Sequence, residues 1–184
     1  MKQSRLIKAY LLCMAVLLTA CGTSGNIDAE KTSGSDGEEQ IISISSTDLK
    51  DGIWSDIITN TAYGENKSPQ LSWNAVNGAG CYAIIMIDPD GHNWLHWIET
   101  DVTDNEIPQG YSSADKYIGP YPPAGTHHYK IYVYALKESR DISSAKFDGS
   151  GNDINRIADE LSKSDSGENN CLGWGMIEGT YTAR

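Results

Sequence analysis

The chain has 184 residues, with 14 lysines and arginines against 25 aspartates and glutamates and a formal net charge of −11. That balance argues against nucleic acid as a partner and against electrostatic docking on anionic lipid headgroups, since both need a basic surface. The length fits one domain with one core plus terminal segments.

Lys2, Arg5 and Lys8 give a positive start, and Ala9 to Leu18 is apolar apart from Tyr10. A run that short falls below the roughly 20 helical residues a bilayer core requires, so it reads as an export signal and not as a span. It ends in Leu18-Thr19-Ala20-Cys21, which resembles the lipobox of bacterial lipoproteins. There the peptide is cut before the cysteine, whose sulfur takes a diacylglycerol. The expectation is a signal peptide over 1–20 and a lipidated Cys21; an ordinary signal peptide with a chance cysteine is the other reading. Several acyl chains hold firmly where one does not, at about 0.8 kcal/mol per buried methylene. Cleavage removes three basic residues and leaves 11 against 25 acidic ones, a net −14. Membrane attachment then rests on Cys21 alone, and the protein is expected outside the cytoplasm, lipid-anchored in a bacterial cell envelope.

From Gly22 to Gln40 the composition is mainly Gly, Ser, Thr, Asp and Glu, with Ile27 the only large apolar residue before the segment's end. Such a stretch cannot bury enough surface to offset its ordering entropy and reads as a flexible tether, 21–40 with the lipidated cysteine. The folded domain is expected over 41–184. Cys13 leaves with the signal, so Cys81 and Cys171 remain in a disulfide-permissive compartment. A bridge between them would close a loop of about 90 residues, worth roughly 4–5 kcal/mol in the chain-entropy model. Two separately buried thiols are the equal alternative, and neither cysteine has zinc-site spacing.

Strand signals dominate the domain. Weaker ones lie at Ile42–Ser46, Gln70–Trp73, Leu95–Thr100 and Met176–Thr182. The apolar run Cys81–Ile87, ended by Asp88-Pro89, suits a strand buried on both faces. Tyr129–Leu136 is rich in β-branched and aromatic residues. One stretch has helical spacing, with Ile154, Ile157, Ala158 and Leu161 at i, i+3, i+4 and i+7 and Asn152 or Asp153 as the cap. A mostly β protein follows, with a largely antiparallel sheet, one amphipathic helix near the C-terminus, no internal repeat and no glycine-rich phosphate loop.

All four histidines, His92, His96, His127 and His128, fall between Asp88 and Tyr129. Asp88 stands where the apolar run stops, so its carboxylate should emerge at the rim of the core; taken alone, Asp-Pro is more often plain turn chemistry. On a strand Trp94, His96 and Ile98 would share one face and Leu95 and Trp97 the other. His96 then needs a polar partner, which a carboxylate such as Asp88 would supply. Pro120, Pro122 and Pro123 donate no ladder hydrogen bonds, so Gly119–Gly125 reads as a rigid irregular loop. His127 and His128 must point to opposite faces of the next strand, with Tyr129 on the face of His127.

The order strand, Asp88-Pro89-Asp90, Trp94-x-His96, Gly119-x-x-Pro122-Pro123-x-Gly125 and His127-x-Tyr129 resembles the phosphatidylethanolamine-binding protein family, in its bacterial Raf-kinase-inhibitor-like branch. Ser68-Pro69-Gln70-Leu71-Ser72-Trp73 and Glu178-Gly179-Thr180-Tyr181 are similar to further segments of that family. The resemblance implies a β-sandwich with a large antiparallel central sheet, one or two peripheral helices and a small anion pocket at one end. By position it implies Asp88, Trp94, His96, Gly119, Pro122, Pro123, His127 and Tyr129 as ligand-binding residues, with Asp90 orienting them from behind. His128 replaces the family's usual arginine and would point away. The chain departs from the pattern at Gly91-His92, which shortens one wall of the pocket and leaves His92 either at its mouth or simply exposed. Tyr121 is a bulkier residue that would narrow the entrance.

The chemistry expected is binding, with no cofactor and no metal. Imidazole and tyrosine donors would meet phosphate-like oxygens, Asp88 would accept from an amine or hold a histidine tautomer, and anion affinity would rise as the pH falls toward 6. The ligand is expected to be a small anion or phospholipid headgroup. One rival is a module that inhibits or modulates a kinase or protease, as members of the family do. Another is a metal-dependent hydrolase built on Asp88, His96 and His127, though no metal-binding spacing supports it. A serine hydrolase is weaker still, because no nucleophile elbow occurs and Ser112 and Ser113 are ordinary loop residues.

Overall fold

The computed structural model describes residues 40–184; the signal segment, Cys21 and the tether before Gln40 lie outside the described residues. Four two-residue strands come first: β1 (Gln40–Ile41), β2 (Ile44–Ser45), β3 (Leu49–Lys50) and β4 (Ile53–Trp54). Then come β5 (Leu71–Trp73), β6 (Cys81–Asp88), β7 (Trp94–Val102), β8 (Glu106–Ile107) and β9 (Thr126–Leu136). Helix α1 (Ile154–Leu161) and β10 (Cys171–Thr182) complete the order.

Every residue of β6 is buried because its two faces enter two separate cores. Tyr82, Ile84 and Met86 join Leu71 and Trp73 of β5 and Ile107 of β8 in one cluster. Cys81, Ala83 and Ile85 join Ile157 and Leu161 of α1 in the other. The large sheet runs β3-β4-β10-β9-β6-β7, with β1 also on β10, and the small one runs β2-β5-β8. Small sheet, large sheet and helix therefore form three layers with β6 and β9 central. The long ladders are antiparallel, but β1 and β4 pair with β10 in parallel, so the large sheet is mixed.

The helix spans the residues its spacing predicts. Asp153, not Asn152, is the cap, accepting from the backbone N–H groups of Asn155 and Arg156, an arrangement worth about 1 kcal/mol. Asn152 instead turns inward and ties Asn93, Lys146 and Gly149 together. Ile157 and Leu161 are almost fully buried, each contributing about 1.5–3 kcal/mol.

Three expectations are corrected. The alternation in β7 breaks at His96: Met86 pairs with Trp97 but Ile87 with Leu95, an irregularity that spends one extra residue on β7. Leu95 thus packs on the helix side and Trp97 in the sandwich core, so the two do not share a face. Cys81 and Cys171 are not bonded to each other. Both stand opposite Leu136, one from each side of β9, and two strand spacings put their Cα atoms about 9–10 Å apart, beyond the ~7 Å a disulfide can bridge. Finally, β10 begins at Cys171, well before Met176. Glycines weaken the strand signal there, yet they are needed: a Cβ on Gly175 would sit 1.9 Å from the Ile42 carbonyl oxygen where the N-terminal strand crosses.

Candidate functional site

β6, β7 and β9 end or begin at the same edge of the large sheet, and a cavity of about 480 Å³ opens there. Asp88 closes β6 and is 3% exposed. Its two oxygens are both engaged: Oδ1 accepts from the Gly91 N–H at 2.8 Å and Oδ2 from Nδ1 of His127 at 2.7 Å. The Asp-Pro segment is therefore a turn, and its carboxylate also fixes a histidine. Because a carboxylate only accepts, Nδ1 of His127 carries the proton and Nε2 is the nitrogen left for a ligand.

His96 finds a different partner from the one expected. Its Nδ1 donates to the Ile118 carbonyl oxygen at 2.8 Å, across the contact where Ile118 N–H in turn donates to the His96 carbonyl. Burial pushes the His96 pKa below its ordinary 6.5, and this outweighs the opposing pull of that hydrogen bond and of the Asp88 and Asp148 charges. At neutral pH the ring is uncharged and its Nε2 is an acceptor.

Tyr129 lies beneath the two imidazoles, fully buried. His96 meets its ring edge-on at 5.3 Å and His127 lies near-parallel at 6.4 Å. Burial, with the Asp88 charge beside it, pushes its pKa far above that of a free phenol. The hydroxyl meets no partner at full hydrogen-bond geometry among the described residues, although Asp88 and the Tyr121 backbone lie close enough to interact with it, and a buried hydroxyl held so weakly adds little stability. Tyr129→Phe is therefore expected to leave stability unchanged or raise it by up to about 1 kcal/mol, read by urea denaturation. A loss larger than that would mean the hydroxyl is bonded.

The rim comes from loops. Asp90 lines the cavity itself, and its Oδ2 accepts both the backbone N–H and Nδ1 of His128 at 2.8 Å. Those bonds hold its carboxyl below the usual range. His128 points out of the cavity, as expected of it, while the exposed His92 stands on the rim. His92 and Asn93 take left-handed conformations, with φ of 57° and 55°, which compress the short β6–β7 connection. Trp94, Gly119 and Pro123 line the cavity with Tyr121. Pro122 does not; it faces a neighbouring hollow that also holds Tyr63 and Arg184. Sequence reading missed Asn60 and Asp148. Asp148, in the loop before α1, accepts from Trp94 Nε1 at 3.3 Å.

Residues 45–182 match the family model described as phosphatidylethanolamine-binding protein. The chain belongs to that family. A UPF0098 protein of Methanothermobacter thermautotrophicus is 38% identical over 103 residues, 45% of this chain and 68% of that one. Among solved structures, a phosphatidylethanolamine-binding protein homolog from Chlamydia trachomatis matches with a TM-score of 0.59 at 19% identity, over 78% of this chain and 99% of the other. YbcL of E. coli, described as a member of the mammalian family, matches at 0.58 and 21% over the same shares. At such identities these two likenesses speak for the fold.

The cavity carries a mixed charge pattern. Asp88, Asp90 and Asp148 line it together with His92, His96 and His127, and among the described residues no lysine or arginine does. Asp88 and Asp90 are each engaged by a histidine, whereas Asp148 has the single indole donor. Among the described residues no three His, Cys, Asp or Glu side chains converge as metal ligands do. What the arrangement can do is accept and donate hydrogen bonds at its floor and favour positive charge at its rim.

Proposed function

We propose that the protein is an extracytoplasmic lipoprotein, anchored through Cys21, that binds a phosphoethanolamine-like headgroup in the cavity beside Asp88, His96 and His127. The observation that carries this reading is the charge pattern, three carboxylates and three histidines with no lysine or arginine among the described residues. A bare phosphate dianion meets repulsion there, whereas a headgroup with an oxyanion and an ammonium meets complementary partners for both ends. The phosphoryl group belongs at Nε2 of His127 and His96, where an N–H meets its oxygens once binding takes up a proton, and the ammonium at Asp148 and Asp90. Trp94, Tyr121 and Pro123 supply apolar walls that limit water around the pair.

Glycerophosphoethanolamine, inorganic phosphate and glycerol, titrated separately while the histidine ring resonances are followed by NMR, test the ligand. The zwitterion is expected to move both His96 and His127 and to bind more tightly than phosphate. Equal binding of phosphate, or no movement with either, sinks the headgroup assignment. The anchor is tested apart from it, by metabolic labelling with an alkyne fatty acid that should be lost in Cys21→Ala.

Acidification acts on the site in two opposite senses. In the free domain His96 titrates below 6.5, so between that folded-state pKa and 6.5 the unfolded chain holds more protons and stability falls as the pH falls. A phosphoryl group beside Nε2 favours the imidazolium, so binding takes up a proton and strengthens over the same window. The expected rise in affinity thus continues down to the free-domain pKa, below 6.5, because burial and not the carboxylates dominates this histidine. Calorimetric titration in buffers of different ionisation enthalpy should show proton uptake in wild type at pH 6 and none assignable to this site in His96→Gln.

A further inference from the structure

A second groove, of about 540 Å³, lies on the other side of the large sheet between α1 and the faces of β9 and β10. Its floor is aromatic. Trp174 stands directly opposite Tyr134 across the β9–β10 ladder, and Tyr132, Tyr134 and Trp174 are spaced 6.2–6.4 Å apart, all within 37° of parallel. Tyr134 is packed into the helix-side core, while Trp174 remains 43% exposed. The walls mix apolar Ile154, Ala158 and Leu172 with polar groups: Asn155 and Asp159 on α1 and Asn169 before β10 line the groove, and their side chains make no hydrogen bond among the described residues. Among the described residues no lysine, arginine or histidine lines it.

This combination excludes most occupants. An anion finds no base, and the acidic chain repels it. A purely apolar molecule or a bilayer surface would cover Asn155, Asp159 and Asn169 without giving them partners, at about 1–3 kcal/mol each. A pyranose ring has an apolar C–H face and a rim of hydroxyls, and so answers to both the rings and the amide and carboxylate groups. The volume falls within the ~300–1,000 Å³ usual for small-ligand sites. We propose that this groove binds a neutral carbohydrate, its C–H face on Trp174 and Tyr132 and its hydroxyls bonded to Asn155, Asp159 and Asn169. The site is independent of the headgroup cavity.

The test follows the Trp174 indole N–H resonance of the full chain while chitotetraose, maltotetraose and cellotetraose are added in turn at millimolar concentration. At least one is expected to move it and to leave the His127 ring resonances in place, with affinity falling at least about tenfold in Trp174→Ala, or about 1.4 kcal/mol. The surface double variant Asn155→Ala with Asp159→Ala keeps the floor intact and should weaken binding as well. No response to any of the three sugars overturns the proposal. So does a response to choline or to phosphatidylcholine vesicles in place of the sugars, which would make the groove a cation or lipid site.

Discussion

Asp88→Ala is expected to destabilise the domain by about 2–4 kcal/mol and to abolish headgroup binding. The carboxylate is buried and is the sole side-chain acceptor for two donors, the Gly91 N–H and Nδ1 of His127. Removing it strands both in a site where water enters only from the cavity side. The turn after β6 then loses the bond that closes it, and His127 loses the bond that sets its tautomer. Asp88→Asn separates the contributions: its amide oxygen can serve one donor, but its NH₂ then faces the other, so about half the loss should return. Urea midpoints for the two variants read the order directly. An alanine variant within about 0.5 kcal/mol of wild type would show that the pair is not holding this corner.

The parts of the fold legible in the sequence are those in which one segment carries its own signal. Ile154, Ile157, Ala158 and Leu161 define α1 to the residue because the helical period is local. The run at Cys81 reads as doubly buried because each of its faces is apolar. The motif order also brings Asp88 and His127 together correctly, although they are 39 residues apart. What fails depends on groups that residue type does not reveal. His96 is bonded to a backbone carbonyl, which every residue carries, so no pattern marks Ile118 as its partner. The irregularity at His96 shifts a face by one residue, and strict alternation has no means of placing it. Asp148 reaches Trp94 from a loop 54 positions away, in a stretch with no periodicity. These misses change the chemistry more than the architecture: a neutral, backbone-held His96 and an extra carboxylate are what the proposed zwitterionic headgroup rests on.

Gly119→Ala is expected to cost about 3 kcal/mol and to weaken ligand binding with it. A Cβ there would lie 2.0 Å from the Ile58 carbonyl oxygen and 2.8 Å from the Asn60 nitrogen, both backbone atoms. Neither side can retreat cheaply, because the two segments are laced together: Tyr117 Oη donates to the Ile58 carbonyl at 2.7 Å, Asn60 N–H to the Pro120 carbonyl at 3.1 Å, and Gly119 N–H to Asn66 Oδ1 at 2.7 Å. The same seam supplies Asn60, Ile118, Gly119 and Tyr121 to the cavity. Forcing it apart also withdraws the Ile118 carbonyl from His96, so the variant should lose the His96 tautomer along with the wall. Gly125→Ala is the matched comparison. Its φ of +71° disfavours a side chain, but nothing lies within 4 Å of the added Cβ, so backbone strain alone should cost about 1 kcal/mol and leave the His96 resonance unmoved. Equal losses for the two would mean that the seam yields to the added Cβ, since Gly119, unlike Gly125, has no positive φ to require glycine.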